Sequence, residues 1–210
     1  QAIDAAVTAV APKMVNWRRD IHAHPELSGQ EVRTAKLVAE HLKKPGMEVQ
    51  TGVGGTGVVG TLKGGLPGKV VALRADMDAL PLDEDTGLDF SSRTPGAMHA
   101  CGHDTHVAML AGAARALCAK RDQLAGTVMF MFQPGEEGYH GARWMLDDGL
   151  INPLPDAAFA LHISPNIPTG VFAGRAGPLL AAADRFEITV KGRGGHASQP
   201  QDAIDPIPVA

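Results

Sequence analysis

The chain has 210 residues, 44% apolar and 20% charged, enough for one ample core or for one domain and part of a second. A net charge of −4 leaves no basic footprint for nucleic acid or an anionic membrane, and no apolar stretch reaches membrane-spanning length. Two cysteines, Cys101 and Cys118, are too few for a disulfide-stapled secreted scaffold, and no secretory signal opens the chain, so a cytoplasmic location is expected.

In chain order, a first helix is expected from about Val7 to Asp20, then a loop from His22 to Leu27. Ser28 and Glu31 stand at capping-box spacing. Val32, Ala35, Val38, Ala39 and Leu42 form the apolar stripe of a second helix, which Pro45-Gly46 ends. Met47–Val49 and Val58–Leu62 read as strands around a glycine-rich link, and Lys63 to Gly68 as a turn. Lys69–Arg74 is a candidate buried strand that leads into an acidic loop from Ala75 to Asp89. A helix follows from about His103 to Ala119, with Cys118 on its apolar side as a packing residue. Thr127–Phe132 reads as a strand, Tyr139–Asp148 as a helix and Ala157–Leu161 as a further strand. Strands alternating with helices define an α/β fold, a mainly parallel sheet with helices on both faces. From Asp184 to Lys191 the pattern alternates like a half-exposed strand, which opens a second, smaller unit. The expected domains are therefore residues 1–183 and 184–210.

Reacting groups in open α/β sheets gather beyond the carboxyl ends of the strands. Here three strand ends lead in turn to Asp76-Met77-Asp78, to Gln133-Pro134-Gly135-Glu136-Glu137 and to His162. Between the first two lies His99-Ala100-Cys101-Gly102-His103-Asp104-Thr105-His106 at a loop-to-helix junction. Each group alone has a plainer reading: a small buried cysteine, a solvated acidic turn, a core histidine. Together they offer the nitrogen, oxygen and sulfur donors a catalytic divalent ion needs, with a position left for water. Thiolate and imidazole suit zinc; manganese, cobalt and nickel stay open. In the Glu136-Glu137 pair, one carboxylate can bind metal while its neighbour takes a proton from water. His22, His24 and His41 read as surface or loop histidines. His106 is open to a ligand role, with a supporting or packing role favoured. Gly52-Val53-Gly54-Gly55-Thr56-Gly57 formally matches a dinucleotide-binding loop, but a strand pattern follows where that motif requires a helix, so a glycine-rich hairpin is expected.

Further motifs occur in order: His22-Ala23-His24-Pro25-Glu26-Leu27-Ser28, Arg74-Ala75-Asp76-Met77-Asp78-Ala79-Leu80-Pro81, Met98-His99-Ala100-Cys101-Gly102-His103-Asp104, Phe132-Gln133-Pro134-Gly135-Glu136-Glu137-Gly138, Ala160-Leu161-His162 and Gly194-Gly195-His196-Ala197-Ser198. Jointly they resemble the amidohydrolase branch of the aminoacylase and carboxypeptidase-G metallopeptidase family, which includes hippurate and auxin-conjugate hydrolases. The resemblance implies a zinc-peptidase-like catalytic domain followed by the start of a smaller α+β lid and dimerisation domain. It implies two divalent metal ions held by Cys101, His103, Glu137 and His162, with Glu136 as general base. It places Asp76, Asp78 and Asp104 as partners that orient the ligands, Asp76 standing where other branches carry a ligand histidine. His196, in the lid, would donate to the substrate carbonyl oxygen, often across a homodimer interface. The implied substrate is a small N-acyl amino acid such as hippurate or an N-acetyl amino acid, with neither nucleic acid nor membrane as partner. Family members are longer and take a last histidine ligand from a returning segment. The stretch is therefore expected to be part of a longer chain or a truncated product; a degenerate metal-binding domain without catalysis is the alternative.

Overall fold

The computed structural model describes residues 2–149, 151–181 and 186–210. Contacts divide the chain into a larger unit ending at Ser164 and a smaller one beginning at Pro165. The boundary expected at 183/184 and the start of the strand expected from Asp184 lie outside the described residues.

The larger unit is an α/β domain around one mixed five-stranded sheet. Its elements are α1 (Ala2–Ala23), α2 (Val32–Lys43), β1 (Glu48–Val53), β2 (Gly57–Lys63), β3 (Leu66–Asp76), α3 (His103–Cys118), β4 (Ala125–Gln133), the single turn α4 (Glu136–Tyr139), α5 (Gly141–Asp147) and β5 (Ala157–Ala160). The strand order is β1-β2-β4-β3-β5. β1 with β2 and β2 with β4 are antiparallel, whereas β3 runs parallel to both β4 and β5. The Gly52–Gly57 stretch turns this first hairpin, and β2 follows it directly in place of a helix.

Period-two alternation sorts the strand side chains between two cores. Val58, Leu62, Phe130 and Phe132 face a cluster with Ile21 of α1, Val38 and Leu42 of α2, and Val107 and Ala114 of α3. Val59, Ala72 and Met129 face the other way and pack with Met145 of α5 and Ile151. Both faces of the sheet are therefore covered around β2, β3 and β4, whereas β5 is exposed, and the parallel strands β3, β4 and β5 open their carboxyl ends on a common side.

Several local expectations are corrected. α1 continues past Asp20 to Ala23, so His22 is helical and buried rather than in a loop. Its burial is tolerated because Asp104 and Glu84 carboxylates meet its two ring nitrogens, at 2.8 and 3.2 Å. His41 is likewise not a surface histidine: both its ring nitrogens are buried, and the ring lies 4.2 Å from that of Trp17. Ser28 and Glu31 form no capping box, since Glu31, at the N-cap of α2, makes no side-chain cap. The Glu26 carboxylate accepts instead from the backbone N–H groups of Arg33 and Thr34. The helix expected from Tyr139 begins at Gly141, after His140 adopts a left-handed φ of 57°. Gly141 lies so close to the preceding strand exit that an added Cβ would sit 1.6 Å from the Pro134 carbonyl oxygen.

In the smaller unit, Arg193 and Ile204 form an antiparallel bridge and Pro200–Asp202 a short 3₁₀ turn. Of the strand expected over Asp184–Lys191, the described residues 186–191 run without strand pairing, and Phe186 is exposed.

Candidate metal centre

His103 is the centre of the site. It opens α3 behind Gly102, whose φ of 87° suits glycine and lets the loop enter the helix sharply. Its Nδ1–H donates to the Asp78 carbonyl oxygen at 2.8 Å, which fixes the tautomer and leaves Nε2 as a lone-pair donor. The ring is fully buried, yet Nε2 has no hydrogen-bond partner. Around that nitrogen stand Asp76 Oδ2 at 3.5 Å, Glu136 Oε2 at 3.8 Å and Glu137 Oε1 at 3.9 Å. Cys101 Sγ lies 3.4 Å from His162 Nε2, and the His162 Nδ1–H donates to the Ile163 carbonyl.

The structure thus brings Cys101, His103, Glu136, Glu137 and His162 together, and Asp76 and Asp78 with them. Cys101, His103 and His162 form one group of converging donor atoms, and His103, Glu136 and Glu137 another. A third group, Asp76, His103 and His106, is fully buried. Asp104 lies elsewhere along the same helix start: its carboxylate pairs with Arg18 at 2.7 Å and with His22. Cys118 packs against the core as expected and takes no part. His196 belongs to the smaller unit, where its Nδ1 meets the Ser198 hydroxyl at 2.8 Å.

The carboxylates are locked from behind. Asp78 accepts from the Ser28 hydroxyl at 2.6 Å and from the Glu137 backbone N–H at 2.9 Å. Burial opposes its charge, but the bond from His103 and then those two hold its carboxyl down at about 2. Glu31, completely buried, accepts from the backbone N–H of Gly135 at 2.8 Å and of Gly29 at 2.9 Å. Ser28 and Glu31 therefore brace the Glu136-Glu137 loop, a role their local spacing concealed. No signal along the chain announces it, because the partners are 50 and 104 residues away.

The electrostatics describe a pocket short of positive charge. Burial and then the neighbouring Glu137 push the Cys101 thiol up to about 12. Burial, then Glu137 and Asp76, raise the Glu136 carboxyl above its ordinary range. Burial disfavours a charged His103, but Asp78, Asp76 and Glu136 outweigh it and raise its pKa. A dication among these groups reverses each of those costs, since it favours thiolate and carboxylate and takes the imidazole lone pair. The buried, unpartnered His103 Nε2 and the mixed sulfur, nitrogen and oxygen donor set thus fit a metal ion.

A mixed α/β sheet that brings thiol, imidazole and carboxylate groups around one buried point defines the catalytic fold of a metallopeptidase class. The chain belongs to peptidase family M20/M25/M40, whose model matches residues 72–205. It is 53% identical over 197 residues to thermostable carboxypeptidase 1 of Saccharolobus solfataricus, covering 92% of this chain and 50% of that protein. It is 47% identical over 199 residues to an N-acetylcysteine deacetylase of Bacillus subtilis, covering 94% and 52%. Among solved structures, a dinuclear metal-binding peptidase of family M20 from Bacillus subtilis superposes with a TM-score of 0.73 at 45% identity, over 77% of this chain and 45% of that one. The chain spans about half the length of the curated relatives it matches.

Proposed function

We propose that the polypeptide carrying this chain is a metal-dependent amidohydrolase that cleaves the amide bond of N-acyl amino acids, of the hippurate or N-acetyl type. The observation that carries this reading is the convergence of two imidazoles, one thiol and the Glu136-Glu137 pair around the buried His103 edge. The Bacillus deacetylase, by its name, acts on an N-acyl amino acid.

Cys101, His103, Glu137 and His162 would hold the metals, zinc by donor softness, with manganese, cobalt or nickel as substitutes. Two divalent ions bound there would lower the pKa of a shared water and polarise the substrate carbonyl. Glu136, whose carboxyl is raised and whose backbone is braced through Gly135, takes the proton from the attacking water and delivers it to the leaving amine nitrogen. Asp78 holds His103 in the tautomer that leaves Nε2 free, and Asp104, paired with Arg18 and His22, steadies the start of α3. His196 would donate a hydrogen bond to the developing oxyanion, with the smaller unit serving as lid and homodimer interface. The division at 183/184 is part of this reading, and so is a cytoplasmic location, which suits the two free thiols. Among the described residues no helix is long and apolar enough to cross a membrane.

The test is to strip the complete polypeptide of metal, reload it, and assay hippurate, several N-acetyl amino acids and C-terminally cleavable peptides. Amine release from the N-acyl amino acids upon reloading is the expected result. A fully loaded protein that hydrolyses none of them would end the proposal, and one that cleaves only the peptides would reassign it as a carboxypeptidase.

A further inference from the structure

His106 lies one turn beyond His103 on α3 and is 2% exposed. Its position among Asp76 and His103 makes it a metal-ligand candidate by proximity. The hydrogen bonds say otherwise. Its Nε2 accepts the backbone N–H of Ile163 at 3.0 Å, and an N–H donor can only be met by a lone pair. The ring proton therefore sits on Nδ1, where it is donated to Asp76 Oδ1 at 2.6 Å. Both ring nitrogens are committed, and neither lone pair is left for a cation.

Those commitments end at the residue next to His162. The Ile163 amide N–H is held by His106, while the Ile163 carbonyl receives the His162 Nδ1–H at 2.6 Å. The His106 ring also stands edge-on to that of His162, 4.7 Å between centroids. The strand that leads there is paired to β3 only as far as Ala160, and all four of its residues are exposed, so the contacts at Ile163 act beyond the end of that ladder. Asp76 is itself fixed from the sheet, by Arg74 at 2.7 Å.

We infer that His106 is a positioning residue: it links the Asp76 carboxylate to the Ile163 amide and so holds His162 Nε2 at the distance it keeps from Cys101 Sγ. The inference rests on the reading of His162 as a metal ligand.

Three substitutions in the complete polypeptide separate this role from packing. His106→Phe keeps a ring against His162 but loses both hydrogen bonds. His106→Asn retains a group near Nδ1 for Asp76 but cannot reach Ile163, whereas His106→Gln places an acceptor near the Nε2 position. The readouts are the zinc dissociation constant by chelator competition and hydrogen exchange at the Ile163 amide. His106→Phe and His106→Asn should weaken zinc by roughly 10–100-fold, the usual effect of losing a ligand's orienting partner. They should also speed Ile163 exchange, and His106→Gln should restore most of both. Should His106→Phe fail to fold, the Asn and Gln pair decides the matter. Equal zinc affinity and exchange in Asn and Gln variants, or wild-type values in a folded Phe variant, would overturn the inference. A wild-type protein that binds zinc but hydrolyses nothing would defeat only the functional reading; one that binds no zinc would defeat both.

Discussion

Glu136 and Glu137 are chemically identical neighbours held in different surroundings. The Glu137 backbone is tied to Asp78, and the Glu136 carboxyl is raised by burial and by Glu137 itself. A base that must both accept and release a proton works best when its pKa approaches the working pH. Glu136→Gln, which keeps shape but cannot take a proton, should lower kcat by about 10²–10⁴-fold while metal content stays at the wild-type level. Steady-state kinetics beside elemental analysis would show this, and retained turnover would remove Glu136 from the base role. Cys101→Ala should do the reverse and lower metal occupancy first, because it removes the sulfur donor that converges with His103 and His162. Unchanged occupancy after dialysis would take Cys101 out of the ligand set. The identities of these residues were readable in the sequence, since metal donors at successive strand ends form a pattern. Ser28 and Glu31 were not, because a side chain's local and distant partners leave the same trace along the chain.

At the level of elements, α1, α2 and α3 share one core, and the single turn α4, just before α5, carries Glu136 and Glu137. His41 of α2 packs on Trp17 of α1, and burial, then Lys44 and Arg115, lower its pKa. A depressed histidine pKa means that the unfolded chain binds more protons than the folded one below about pH 6.5. Stability should therefore fall as the pH drops through that range toward the lowered folded value. His41→Phe, which preserves the ring contact, should reduce this loss. Urea unfolding at about pH 8 and about pH 5.5, on either side of the ordinary histidine value, measures it. An equal pH loss in both proteins would contradict the assignment. The turn into α5 is tighter still. With the Pro134 carbonyl 1.6 Å from where a Cβ would sit, Gly141→Ala should destabilise by about 1–3 kcal/mol or more, read as a lower urea midpoint. It should also cost activity, since Gly141 donates to the Gly135 carbonyl at 3.0 Å, one residue before Glu136. A glycine in a helical pattern suggested none of this, because the clash is with a carbonyl the chain reaches only by folding back.

For the larger unit as a whole, three parallel strands point their carboxyl ends the same way, and each delivers one part of the metal centre. Filling that centre should stabilise the folded state by about 2.7 kcal/mol when zinc is present at roughly 100 times its dissociation constant. A thermal melt with zinc and with a chelator tests this, and superimposable curves would mean that the site does not bind in the native state. The sequence by itself determined the α/β character and the imidazole, thiol and carboxylate side chains grouped near the strand ends, because periodicity and residue type are local properties. The tertiary structure alone decided the mixed sheet order, the burial of His22 and of the His41 ring nitrogens, and the diversion of Ser28 and Glu31 from capping to bracing the Glu136 loop. It also decided which histidine nitrogens are free: His103 Nε2 is, and neither nitrogen of His106 is. A ligand is defined by the atom left without another partner, and the partners of these two histidines lie 25 to 57 residues away along the chain.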